Sequence, residues 1–219
     1  MISQNISFQN KTIELFGEES SPRVFLFHLE DEISLIKEWV KEHHQLAIFI
    51  SHCDWEEDFT PYPHEKVFKG GNDFIGEADF YLKQLMGEII PTLNQQYNLQ
   101  NKEKVLCGYS LSGLFAIYVS TKTNLFSSII AASSSLWYPS FIDYLKEHPS
   151  YAKDIYLSIG EKESQTKNEV LSKALECQLE AFTLFRMQNK NTILDINPGG
   201  HFQDSDKRII KGLEWLIEG

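Results

Sequence analysis

Three features that define familiar structural classes are scarce in this chain or missing from it. Only three cysteines, Cys53, Cys107 and Cys177, occur among its 219 residues, at irregular spacing. An odd number spaced in this way fits neither a disulfide framework nor a zinc site, so we expect reduced thiols and a cytoplasmic location. No apolar run approaches the roughly 20 residues that a membrane-spanning helix needs.

Runs of basic residues are also missing. Lys and Arg number 20 against 31 Asp and Glu, which gives a formal net charge of −11 at neutral pH. This balance argues against nucleic acid or an anionic membrane surface as a partner. Residues 1–5 show no basic segment leading into an apolar one, so we also expect no signal peptide.

Apolar residues are plentiful, at 42% of the chain, and their spacing alternates between strand-like and helix-like. We expect one domain over residues 1–219, with a mostly parallel sheet of about eight strands and helices on both faces. The predicted strands are 6–8, 12–16, 24–29, 46–50, 104–107, 126–132, 154–159 and 192–196. The predicted helices are 33–40, 74–97 with Pro91 as a possible kink, the segment after residue 113, 170–187 and 207–217.

The most informative segment is residues 108–113, which read Gly-Tyr-Ser-Leu-Ser-Gly after an apolar strand. A strand, a turn of small residues and a helix would expose the hydroxyl of Ser110 and direct the helix N-terminus at the group it attacks. This arrangement predicts an activated serine that attacks an acyl carbon. Ser112 stands where the Gly-x-Ser-x-Gly pattern has glycine, and serine is small enough for close packing.

A serine nucleophile needs a base, and the base needs an acidic partner. His201 follows the last predicted strand, in a Pro-Gly-Gly-His loop, and is the expected base. Glu161 and Glu163 both follow the strand at 154–159 and have the same strand parity, so alternation does not separate them. We favour Glu163, which lies deeper in the loop. The order Ser110, Glu163, His201 is the order of α/β-hydrolases.

The oxyanion formed during acyl transfer needs two backbone donors. One is expected from the N–H of Leu111, directly after the nucleophile. The other is expected from the acidic turn after the strand at 24–29, around Asp31. Trp137 and Tyr138 follow the strand at 126–132, and we expect them to line the substrate pocket, because pockets favour aromatic side chains. The 133–153 segment is too short for a large cap domain, so an open pocket is expected.

Several segments, taken in order, resemble the "Putative esterase" family of α/β-hydrolases, which includes ferric-enterobactin (enterochelin) esterases and esterase D-like enzymes. Residues 108–115 resemble its G-x-S-x-G-G-L-[FA] elbow, and residues 133–138 its S-P-S-[LF]-W-W segment. The similar segments are 54–61, 70–74, 88–91, 108–115, 133–138, 160–163 and 200–201. The resemblance implies Ser110 as nucleophile, His201 as base and Glu163 as acid.

These observations predict a serine hydrolase that cleaves small-molecule carboxylic esters through an acyl-enzyme, with no metal and no cofactor. Two alternatives stay open. A hydrolase fold without catalysis could serve in binding, and a thioesterase or amidase would use the same triad.

Overall fold

A computed structural model describes residues 1–29 and 33–219, and its central feature is one sheet. The strands are β1 (Ile2–Phe8), β2 (Lys11–Gly17), β3 (Arg23–His28), β4 (Leu46–Ser51), β5 (Glu103–Tyr109), β6 (Ser128–Ala132), β7 (Asp154–Gly160) and β8 (Asn191–Asn197). Their order across the sheet is β1-β2-β4-β3-β5-β6-β7-β8. β2 runs antiparallel to β1 and β4, and the remaining neighbours are parallel. The predicted eight-stranded, mostly parallel sheet is therefore confirmed.

Helices cover both faces of the sheet. They are α1 (Ser34–Glu42), α2 (Trp55–Asp58), α3 (Ala78–Gln84), α4 (Ile90–Tyr97), α5 (Ser110–Ser120), α6 (Phe141–Glu147), α7 (Ala174–Met187) and α8 (Ser205–Glu218). Ile36 of α1 and Leu213 of α8 belong to one apolar cluster. Leu93 of α4, Phe115 of α5 and Phe185 of α7 belong to another. Within residues 1–29 and 33–219, no helix combines the length and the apolar character needed to cross a membrane.

The helix predicted at 74–97 is wrong in its start and in its continuity. The segment contains α3, a π-helical turn at Leu85–Ile89, and α4. Pro91 has no N–H, and its ring crowds the carbonyl four residues earlier, so a regular α-helix cannot pass through it undisturbed. The wider π-helical turn ends two residues before Pro91 and contains Gly87, the residue whose carbonyl the proline ring would crowd in a regular α-helix. Phe74 lies outside the helices and forms an isolated bridge with His64.

The connection between β6 and β7 contains one short helix, α6, which the sequence pattern did not predict. No large cap domain is inserted there, as expected. The carboxyl ends of the parallel strands are the places where α/β sheets bind ligands. The predicted triad residues follow β5, β7 and β8 at this edge.

Candidate active site

The predicted nucleophile lies at a sharp turn between a strand and a helix. β5 ends at Tyr109 and α5 begins at Ser110. Ser110 has a φ of 57°, in the left-handed region. A non-glycine residue there is strained, and such strain is typical of the serine in a nucleophile elbow.

Close packing of β5 against α5 explains the small residues of this turn. A Cβ at Gly108 would lie 2.2 Å from the backbone oxygen of Ser112, so this position requires glycine. Ser112, where the elbow pattern has glycine, is fully buried. Its hydroxyl donates to the Tyr109 carbonyl at 2.8 Å and accepts from the Tyr109 N–H at 2.9 Å. Serine thus fits at position 112 and closes the turn with two hydrogen bonds.

The structure brings Ser110, His201 and Glu163 together. Nε2 of His201 lies 3.0 Å from the Oγ of Ser110. Nδ1 of the same ring lies 2.8 Å from Oε2 of Glu163. Glu161 is exposed, and its N–H donates to the carbonyl of Asn197 at 2.8 Å. Only Glu163, of the two candidates, reaches the imidazole.

The second carboxylate oxygen of Glu163 is held by two donors. Oε1 accepts from the Gly160 N–H and from the Arg208 guanidinium, both at 2.7 Å. Burial by itself would raise the pKa of the Glu163 carboxyl. Hydrogen bonds from His201 and from the Gly160 N–H outweigh burial and lower that pKa below its usual range. The carboxylate therefore stays charged and fixed in orientation beside His201.

Arg208 is the residue of this site that sequence reasoning missed. It lies on α8 and is only 1% exposed. Besides Glu163, its guanidinium donates to the Ser133 hydroxyl at 2.7 Å, to the Gly200 carbonyl at 2.8 Å and to the Pro198 carbonyl at 3.1 Å. One side chain thus ties together the loops that follow β6, β7 and β8.

A signal for Arg208 is present in the sequence. The buried face of α8 carries Ile209, Gly212 and Leu213 beside Arg208. Arginine is almost never fully buried without a partner, so an arginine on the apolar side of an amphipathic helix indicates a buried acid. The loop acids at 161 and 163 were the available candidates.

Three consecutive serines after β6, Ser133, Ser134 and Ser135, position other residues of the site. Ser135 Oγ lies 3.4 Å from the Oγ of Ser110, and its N–H donates to the Ser110 carbonyl at 3.0 Å. Ser134 accepts from Nε2 of Gln178 through its carbonyl at 2.7 Å and its hydroxyl at 2.9 Å. Ser133 holds Arg208, as described. This segment fixes both the elbow and the arginine.

Ser110 and His201 open into a cleft of about 470 Å³. The described residues that line it are Leu29, Ile36, Trp55, Tyr109, Ser110, His201, Phe202, Ser205, Asp206 and Ile209. Trp55 is presented by α2, whose end is anchored by a buried ion pair. In that pair, Nζ of Lys11 lies 2.7 Å from Oδ2 of Asp58.

Trp137 and Tyr138 do not line this cleft, which corrects the prediction made from the sequence. Both border a separate depression beside α6 and α7. Tyr138 is 1% exposed, and its hydroxyl donates to the carbonyl of Tyr62 at 2.5 Å. Tyr62 in turn donates to the carbonyl of Pro139 at 2.6 Å. Tyr138 and Tyr62 thus link their two loops through hydrogen bonds, and Trp137 packs beside Phe74 with ring centres 6.5 Å apart.

The structure describes one of the two expected oxyanion donors, Leu111. Leu111 is the second residue of α5. The first N–H groups of a helix have no acceptor within it, so the N–H of Leu111 is available for hydrogen bonding at this end. Asp31, the other expected donor position, lies outside the described residues.

Comparisons with known proteins agree with this architecture. The model of the family described as "Putative esterase" matches residues 30–195. An uncharacterized protein, YbbA of Bacillus subtilis, is 24% identical over 172 residues, which cover 73% of this chain and 68% of that protein.

Solved structures give the same picture of the fold. An IroE-like serine hydrolase from Shewanella oneidensis superposes with a TM-score of 0.80 at 17% identity, over 99% of this chain and 80% of that one. The siderophore hydrolase EstA from Aspergillus nidulans gives 0.68 at 16% identity, over 99% and 94%. The enterobactin esterase FES from Shigella flexneri gives 0.74 at 15% identity, over 100% and 60%.

Proposed function

This chain belongs to the "Putative esterase" family and is a carboxylic ester hydrolase, and we propose that Ser110, His201 and Glu163 form its catalytic triad. The contacts of His201 carry this proposal. One ring nitrogen lies 3.0 Å from the serine hydroxyl and the other lies 2.8 Å from the carboxylate. These are the distances that a general base and its orienting acid require.

The reaction follows from these contacts. The Oγ of Ser110 attacks the ester carbonyl carbon while Nε2 of His201 takes the hydroxyl proton. The tetrahedral intermediate collapses, the C–O bond to the alcohol breaks, and the imidazolium returns the proton to the departing alkoxide. Water then gives a proton to Nε2 and attacks the acyl-enzyme, which releases the carboxylic acid and restores the serine hydroxyl.

Glu163 has the supporting role in this scheme. Its carboxylate accepts the Nδ1–H of His201, which leaves Nε2 free to act as the base, and it stabilises the imidazolium that forms. The N–H of Leu111 would stabilise the oxyanion, with the second donor near Asp31. We also propose that residues 1–219 form one α/β-hydrolase domain. β1 is part of the single sheet, and α8 packs on β5, β6 and β7 of that sheet. The absence of a metal or cofactor and the cytoplasmic location stay predictions.

A fluorophosphonate probe tests the proposal directly. The probe reacts with an activated serine and leaves an unactivated one unmodified. We expect one covalent adduct, which peptide mass spectrometry locates at Ser110. Its formation should cease when His201 is replaced by alanine. A folded chain without any adduct would support a fold used for binding rather than catalysis.

The two loop acids give a matched pair of variants. We expect Glu163→Gln to lower kcat by about 10³–10⁴-fold, because an amide no longer favours the productive imidazole tautomer. Glu161→Gln changes the charge by the same amount on the same loop and should leave kcat within about twofold, as exposed substitutions do. Steady-state hydrolysis of 4-nitrophenyl acetate measures both. Loss of activity in Glu161→Gln alone would show that the acid is wrongly assigned.

A further inference from the structure

The cleft at Ser110 has an apolar lining. Its walls include Leu29, Ile36, Trp55 and Ile209. Side chains of this kind bind hydrocarbon and aromatic groups by removing their surfaces from water. An ester that occupies the cleft therefore gains binding free energy when its acyl chain is apolar. We call this chain, which is attached to the carbonyl carbon, the arm of the ester.

Phe202 adds an unusual apolar surface beside the proposed base. It follows His201 directly and is 95% exposed. The centres of the two rings are 5.1 Å apart, and the planes are nearly perpendicular at 86°. An aromatic ring left in water at the rim of a cleft gains most when a ligand covers it. Phe202 is thus placed to contact the arm of a bound ester.

The charge of the lining points the same way. The described residues that line the cleft include one acidic residue, Asp206, and no lysine or arginine. The two cations that directly follow Asp206 in α8 are already engaged. Arg208 is buried against Glu163 at 2.7 Å, and Lys207 pairs with Asp204 at 2.5 Å. An anionic ligand would meet Asp206 without a compensating cation from these two side chains.

We infer that the cleft selects uncharged esters with an apolar arm over esters that carry a carboxylate on that arm. Repulsion by Asp206 and the overall charge of −11 disfavour the anion, and contact with Phe202 favours the apolar arm. This inference rests on the proposed function, because it concerns substrates that reach Ser110.

Two esters with one leaving group and the same chain length provide the test. 4-Nitrophenyl hexanoate has an uncharged arm, and mono-4-nitrophenyl adipate ends in a carboxylate. We expect the wild-type kcat/KM for the hexanoate to exceed that for the adipate by at least about tenfold. High salt should narrow this ratio, because it screens exposed charges.

Three variants separate the effect of the Asp206 charge from the effect of contact with the Phe202 ring. Asp206→Asn keeps the shape of the side chain, and we expect it to narrow the hexanoate-to-adipate ratio by about three- to tenfold. Asp143→Asn removes the same charge from an exposed site on α6 and should leave the ratio unchanged. Phe202→Ala should raise KM for 4-nitrophenyl 3-phenylpropanoate by about tenfold while kcat changes little.

The outcomes distinguish this inference from the proposed function. A chain that a fluorophosphonate labels at Ser110 but that cleaves both six-carbon esters equally well contradicts the inference alone. An unchanged ratio in Asp206→Asn contradicts it too. A chain that takes no label and cleaves neither ester contradicts the proposed function, and the inference with it.

Discussion

Ser110→Ala should lower kcat for ester hydrolysis by about 10⁵–10⁶-fold, because removal of the nucleophile ends formation of the acyl-enzyme. Alanine is smaller than serine and is no more strained at a φ of 57°. The variant should therefore fold as the wild type does. Hydrolysis of 4-nitrophenyl acetate by purified protein gives the rate, and a thermal melt verifies folding.

Ser135→Ala is the matched control for this variant. The hydroxyl of Ser135 lies 3.4 Å from that of Ser110 and is fully buried. We expect a loss of no more than about tenfold, since Ser135 contacts the nucleophile without replacing it. If Ser110→Ala keeps wild-type turnover while Ser135→Ala is inactive, the nucleophile is wrongly assigned.

Arg208→Met should destabilise the protein by about 3–5 kcal/mol, because it leaves the buried Glu163 carboxylate without its guanidinium partner. The serine hydroxyl and the two loop carbonyls that Arg208 bonds lose their donor as well. Urea unfolding measures the change. The double variant Arg208→Met with Glu163→Gln should be more stable than Arg208→Met alone, because it no longer buries an unpaired charge. Equal or lower stability in the double variant would contradict the pairing.

The pH dependence of stability provides a second readout. The pKa of Glu163 is lowered in the folded protein. Its charged form therefore stabilises the fold above the unfolded pKa of about 4.3, and this stabilisation is lost as pH falls through the lower, folded value. The Arg208 guanidinium lies 2.7 Å from Oε1 of Glu163, so its removal should move the folded pKa of Glu163 towards the unfolded value. The stability lost on acidification should therefore be smaller in Arg208→Met than in wild type. Unfolding free energies between about pH 3 and pH 7 follow this shift, and identical profiles would contradict it.

Periodicity and turn residues sufficed to predict the sheet and most of its helices. The apolar runs of β3 and β4 are buried on both faces, which is a pattern that sequence shows well. The π-helical turn before Pro91 could not be predicted from apolar spacing. That spacing indicates which face of a helix is buried, but not how the backbone adjusts to a proline. α6 was missed because it has only seven residues, too few for a periodic pattern.

Site residues were predictable where the order of the strands determines their position. They were less predictable where contacts between side chains of different loops determine it. Ser110 follows β5 directly and His201 lies in the loop after β8, so topology brings them to one edge of the sheet. Glu161 and Glu163 share a strand parity, and only the turn from Gly160 to Glu163, closed by a 3.1 Å hydrogen bond, determines which acid faces His201. Tyr138 was misplaced because its contact with Tyr62 spans 76 positions of sequence. Trp137 was misplaced because it packs beside Phe74, which is also distant in sequence.

The position of Arg208 on α8 has a consequence for the order in which the protein acquires activity. A ribosome synthesises Ser110, Glu163 and His201 before it reaches α8. While α8 is still inside the exit tunnel, nothing from this helix can link the loops after β6, β7 and β8. Until α8 docks, Glu163 lacks the guanidinium that holds its Oε1. Catalytic competence should therefore depend on the docking of α8 as well as on the presence of the three proposed triad residues.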